Sequence, residues 1–250
     1  MPEIPDPRIF VTTRWSIVLL GANFETGEAE AREALAELCR TYWRPVFSFI
    51  LRRGYAQEDA RDLTQDFFLM ILEKNWLQRA DQNRGRFRSF LLKSVQHFLG
   101  HDLKRKEAQK RGGGKHLVPW EDWMIEATAR EPAASRAWEA LPPESFFDLR
   151  WATTVVDQAL RRLRDECEAK GKLRLFEALR DHLAMDGDEI SYASLAATLS
   201  VAEAIVKKQL YNLRQRYRWL LRDEVAHTVA NPAEVDDEIR YLCATLAAIR

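Results

Sequence analysis

Cysteine is scarce. Cys39, Cys167 and Cys243 are the only three in 250 residues, and they stand far apart with no Cys-x-x-Cys pair among them. That spacing supplies neither a zinc ribbon nor a disulfide framework, so reduced thiols in a cytosolic protein are expected. Long apolar runs are missing as well. None approaches the ~18 residues of a membrane-spanning helix, and no membrane partner is expected. The first residues are Pro and acids rather than a basic stretch followed by an apolar one, so no signal peptide is expected and the location should be cytoplasmic. Strand-like alternation, internal repeats and low-complexity tracts are also lacking.

Several chemistries fail for want of residues. His97 and His101 have the i, i+4 spacing of a zinc pair, but the HExxH glutamate and a third ligand are missing. Gly112-Gly-Gly-Lys115 lacks the GxxxxGK[ST] pattern and has no strand before it. Asp62 and Asp66 are spaced to share Mg²⁺, yet no further acids join them. No Ser/His/Asp or Cys/His set stands out. Neither an enzyme, a metal nor a cofactor is expected.

What is present is helical periodicity and segregated charge. The formal net charge is zero, but residues 84–115 hold ten cations against two acids, and residues 121–148 hold seven acids against two arginines. Two basic blocks with acidic material between them suggest two DNA-facing surfaces and a linker that avoids DNA. The period of apolar residues predicts helices over 28–53 (kinked at Pro45, ended by Gly54), over 57–74, and from Phe87 through Leu103, stopping near the hinge Gly112-Gly-Gly114. Residues 113–150, with four prolines, read as a linker. Two helices are expected within 151–183. Asn231-Pro-Ala-Glu234 reads as the start of a last amphipathic helix through Val235, Ile239, Leu242 and Leu246.

The most informative stretch is 192–222, a short apolar helix, a tight break and a long basic helix, as in a helix-turn-helix. From Lys207 to Arg222 it carries six cations and no acid. The helix after Gly85 interleaves aromatics with cations, a combination suited to phosphates and unpaired bases. Phe87 and Phe90 fit its apolar stripe and read as core by periodicity alone.

These motifs, in this order, resemble the bacterial extracytoplasmic-function sigma factors, initiation factors that give RNA polymerase its promoter choice. Residues 35–111, with Glu58-Asp-Ala-Arg-Asp-Leu-Thr-Gln-Asp-Phe-Phe68 and Gly85-Arg-Phe-Arg-Ser-Phe-Leu-Leu92, look like their region 2. Residues 192–222 look like region 4. Thr12-Thr-Arg-Trp-Ser16, Ala108-Gln-Lys-Arg-Gly-Gly-Gly114 and the segment after Val229 resemble a subgroup with a C-terminal extension. The resemblance implies an all-α chain. Its parts would be an N-terminal extension (1–27), a three- or four-helix region 2 (28–112), an acidic linker (113–150), region 4 (151–225) and a C-terminal helix (226–250).

It also implies partners and roles. Asp62, Gln65, Asp66 and Leu69 would dock on the clamp helices of the polymerase's largest subunit, and region 4 would meet the flap of the second-largest. Asn83, Arg84, Arg86, Phe87, Arg88, Lys93, His97, Lys104 and Arg105 would hold the opened minus-ten strand, capturing a flipped base. Ser200, Lys207, Lys208, Tyr211, Asn212, Arg214 and Arg218 would read the minus-thirty-five element, with Asn212 favouring adenine. An anti-sigma protein belongs to the partners such a family admits. Residues 192–222 alone also suit a helix-turn-helix regulator that needs no polymerase. Three places depart from the family pattern, because Ser200 stands where the turn usually has Gly, Ala202 where it has a hydroxyl N-cap, and Asn212 where members often have Arg. Ser200-Val-Ala-Glu203 fits a capping box, which would start the reading helix two residues early. The last helix is expected to cover region 4, with a regulatory arm as the alternative.

Overall fold

A computed structural model describes residues 28–72, 86–108, 141–184, 190–229 and 231–248, without the side chains of 28–32, 35, 36, 38, 72 and 102–108. Apolar residues at three- and four-residue intervals give each segment one face to bury. The described residues accordingly form eight α-helices. These are α1 (Glu28–Arg52), α2 (Gln57–Leu72), α3 (Phe87–Ala108), α4 (Pro143–Ala169), α5 (Leu173–Leu179), α6 (Tyr192–Leu199), α7 (Glu203–Ala226) and α8 (Val235–Ala247). The only strand-like feature among the described residues is one antiparallel bridge, Arg86 to Val229. The all-α expectation holds for them. The prolines after Lys115 up to Pro132, and Gly112 to Gly114, lie outside the described residues.

The chain divides into two units. The first comprises residues 1–154 and 226–250, the second residues 155–225. In the first, α1 runs through Pro45 and stops before Gly54, whose φ of 90° is cheap only without a Cβ. Its core is aromatic. Tyr42, Trp43, Phe47, Phe49, Phe67, Phe87, Phe147 and Trp151 are all fully buried. Tyr42 meets Phe87 edge-on at 4.9 Å, Trp43 stacks on Phe68 at 5.2 Å and Phe67 tilts against Phe98 at 5.6 Å, joining α1, α2 and α3. Rings at these separations favour such offset and edge contacts over face-to-face stacking.

Two expectations about this unit are corrected. Residues 113–150 were expected to form a linker, but α4 begins at Pro143 and buries Phe146, Phe147 and Leu149. Pro143 occupies the first helical position, where a missing N–H leaves nothing unpaired, so the proline pair opens a helix rather than preventing one. The last helix was expected to cover region 4. Instead α8 packs in the first unit, through Val235, Glu238 and Leu242, each no more than 3% exposed. The reason is polar as much as apolar, because Glu238 meets two arginines at the start of α3.

The second unit is built on Leu163, Cys167, Phe176, Leu179, Ile190, Val206, Leu210 and Leu213. Its part of α4 ends in a Schellman turn. Gly171 takes φ 66°, its N–H donates to Glu168 O and that of Lys172 donates to Cys167 O. No described helix is long and apolar enough to cross a membrane. Cys39 and Cys167 are buried and unbridged, and burial pushes both thiols above their ordinary range.

Candidate nucleic-acid interface

In the second unit, α6 and α7 follow one another across a tight turn. Ser200 ends α6 at φ 55°, in the left-handed region. Its N–H donates to Ala197 O and that of Val201 to Ala196 O, the paired bonds of a Schellman motif. Ser200 therefore does the backbone work of the expected glycine. Ala202 supplies the carbonyl that takes the first α7 bonds, from Ile205 and Val206. The capping-box expectation is thereby corrected, since α7 starts at Glu203 and Ser200 belongs to the preceding helix end.

The register of α7 follows from its apolar stripe. Val206, Leu210, Leu213 and Leu220 turn inward, and residues about half a turn away face out. Lys207, Lys208, Tyr211, Asn212 and Arg218 are all exposed, Tyr211 at 62%. Ser200 is exposed at the head of the turn. The Lys207 ammonium lies 5.0 Å from the Tyr192 ring centroid, which holds that lysine beside α6.

Not every cation of α7 joins this face. The Arg216 guanidinium grips Glu166 of α4 with two bonds, of 2.8 and 2.6 Å, and sits 4.2 Å from the Trp219 ring centre. The hydrogen bonds from Arg216 hold the Glu166 carboxyl below its ordinary range against the opposing effect of burial. Arg214, expected as a phosphate neighbour, donates to the His182 carbonyl at 2.9 Å and is half-buried. Arg162 bridges Asp223 and Glu224 at 2.7 and 2.6 Å. These pairs fix the scaffold and leave the outward lysines as the face's charge.

In the first unit, the expected minus-ten residues separate into two groups. Lys93 and His97 are exposed on α3, and the His97 and His101 side-chain Nε2 atoms lie 3.2 Å apart. Phe87 and Arg88 are buried, at 0% and 6% exposure. Both are covered in the conformation seen here. Phe87 sits against Tyr42, as its place in the apolar stripe foretold. Asn83 and Arg84 lie outside the described residues, as do the side chains of Lys104 and Arg105.

Arg88 is held on several sides. Its Nε donates to Glu238 at 3.0 Å, and its Nη1 donates to Asp148 at 2.5 Å. The same guanidinium lies 4.2 Å from the Tyr241 ring centre and 5.0 Å from that of Trp151. Tyr241 in turn donates its hydroxyl to Asp148 at 2.6 Å. Burial works against the charge on Arg88, but the Glu238 bond and the Asp148 charge outweigh it, leaving the group more firmly protonated than usual. Arg86, half-buried, pairs with the second Glu238 oxygen at 3.0 Å. Sequence reasoning missed Glu238, Asp148 and Tyr241. The one available signal was an acid three residues after Val235 and four before Leu242, on the stripe that should have been apolar.

On α2, Leu63, Phe67 and Ile71 are buried, Asp66 is exposed, and Asp62, Gln65 and Leu69 are half-buried. Glu58 and Asp59 in its first turn suit the positive end of the helix dipole. Comparison with protein-family models, with curated proteins and with solved structures finds no match to this chain.

Proposed function

We propose that this chain is a transcription initiation factor of the extracytoplasmic-function sigma type, working in the cytoplasm and without catalysis of its own. It would bind core RNA polymerase through α2, bring it to promoters through α7, and hold the opened strand beside α3. The two units would then correspond to the region 2 and region 4 modules, with α8 added to the first. The observation that carries the proposal is the α6–α7 pair. A Schellman turn sets its angle, an apolar stripe buries one side of α7, and Lys207, Lys208, Tyr211, Asn212 and Arg218 stay exposed on the other. A helix so presented fits the major groove, where lysines meet phosphate and an exposed Asn can pair bidentately with adenine. The sequence motifs preceding it, in the order of the sigma family, join that reader to a polymerase-docking helix.

Run-off transcription with purified core polymerase and promoter DNA tests the reading. Addition of the chain should yield a defined transcript. Asp62→Arg with Asp66→Arg should abolish association with core enzyme while leaving duplex binding intact. Tight DNA binding with no association to core enzyme would overturn the proposal. That outcome would favour a helix-turn-helix regulator acting alone, a reading that the burial of Phe87 and Arg88 supports.

A further inference from the structure

The start of α3 is where two observations collide. By composition it suits phosphates and unpaired bases, and yet its arginines are already engaged. Glu238, fully buried, spans both of them, with one oxygen on Arg88 and the other on Arg86, each at 3.0 Å. Three residues along the same face of α8, Tyr241 lays its ring 4.2 Å from the Arg88 guanidinium. A carboxylate across two guanidinium groups is the geometry in which arginine takes a phosphate, and an aromatic ring on its plane is how it stacks on a base. The helix α8 thus presents, one turn apart, the two chemistries of a nucleotide. Backbone contacts set the same segment in place, since Phe87 N–H donates to Thr228 O at 3.0 Å and Arg86 bridges Val229.

We infer that the segment from Thr228 through α8 is a built-in competitor for the strand site, with Glu238 standing in for a phosphate and Tyr241 for a base. This rests on the reading of Arg86 and Arg88 as strand-binding residues. Release of α8 would free both guanidinium groups together, because one carboxylate holds both. Asp148, on α4, would remain beside Arg88 and keep it oriented. In the closed state the apparent affinity for a single strand is reduced by the fraction of molecules in which α8 is displaced.

The test uses the full chain and a short fluorescent single-stranded DNA, followed by anisotropy. Glu238→Gln keeps the shape of the side chain and removes its charge. It should tighten strand binding roughly tenfold, the weight of one charge-assisted bond lost from the closed state. Adding Arg86→Ala to that variant should remove the gain. Hydrogen exchange of the unmodified chain supplies a second readout, in which saturating strand should deprotect residues 231–248. Unchanged strand affinity in Glu238→Gln, with only a lower melting temperature, would make the cluster purely structural and overturn the inference. So would strand binding that leaves exchange in 231–248 unaltered. Run-off transcription reads the sigma proposal separately. A transcript without any Glu238 effect sinks the competitor alone, and a Glu238 effect without polymerase association sinks the sigma reading alone.

Discussion

Replacing Ser200 by Gly should stabilise the second unit, and the size of the effect follows from the turn. Ser200 is the only non-glycine residue with positive φ among those described, at 55°. A residue with a Cβ pays roughly 1–2 kcal/mol to sit there. Glycine escapes that strain but widens the unfolded ensemble, which takes back roughly 0.4–1 kcal/mol. At the middle of both ranges the difference is a net gain of about 0.8 kcal/mol. The Schellman bonds to Ala197 and Ala196 are made by backbone and survive the change. For a unit of this size the melting temperature should rise by roughly 2–8 °C, and the urea midpoint should move with no change in slope. Ser200→Val, whose branched side chain tolerates this region least, should shift both in the opposite direction. A glycine variant no more stable than the parent, or a valine variant no less so, would refute the left-handed assignment. Duplex affinity should stay level in Ser200→Gly, since what the turn needs from this residue is its backbone.

Lys207→Ala with Lys208→Ala should weaken duplex binding and flatten its dependence on salt by about two phosphate contacts, close to ~1.8 in log–log slope. An unchanged slope would place neither lysine on phosphate. The Glu166–Arg216 pair predicts an acid-side effect. The folded carboxyl titrates below its ordinary value, so its contribution is complete above the unfolded pKa of about 4.3 and is lost as pH falls through the depressed one. Glu166→Gln should therefore lower stability at neutral pH by at most about 1 kcal/mol and by nothing at strongly acid pH. A deficit that persists in acid would mean that lost packing, not lost charge, explains it.

Much of this architecture was legible because its signals are local. Leu63, Phe67 and Ile71 announce one side of α2, and Val206, Leu210 and Leu213 one side of α7, from spacing alone. The exposed lysines of α7 follow from the same arithmetic. Signals that combine distant residues were not legible. Glu238 looks like one more acid in the charged first turn of α8 until Arg86 and Arg88 arrive beside it. Pro142-Pro143 reads as a break unless one knows that Phe146 and Phe147 have a core to enter. Ser200 fitted two roles, helix cap and left-handed turn, and only the backbone bonds to Ala196 and Ala197 choose between them. Arg214 and Arg216 looked like members of a uniform cationic face, but their partners, the His182 carbonyl and Glu166, lie on other elements of the unit.

The discontinuity of the first unit has a consequence during synthesis. Arg88 and Glu238 are 150 residues apart. At ordinary ribosomal speeds, on the order of ten seconds separate their emergence. Residues 155–225 form a contiguous unit whose last residue precedes Glu238 by 13, so only on the order of one second separates its completion from the arrival of Glu238 and Tyr241. Every newly made molecule thus passes through a stage in which Arg88 has Asp148 but not Glu238 to pair with. Any ligand that reaches Arg86 and Arg88 in that window meets them before the carboxylate that spans both exists.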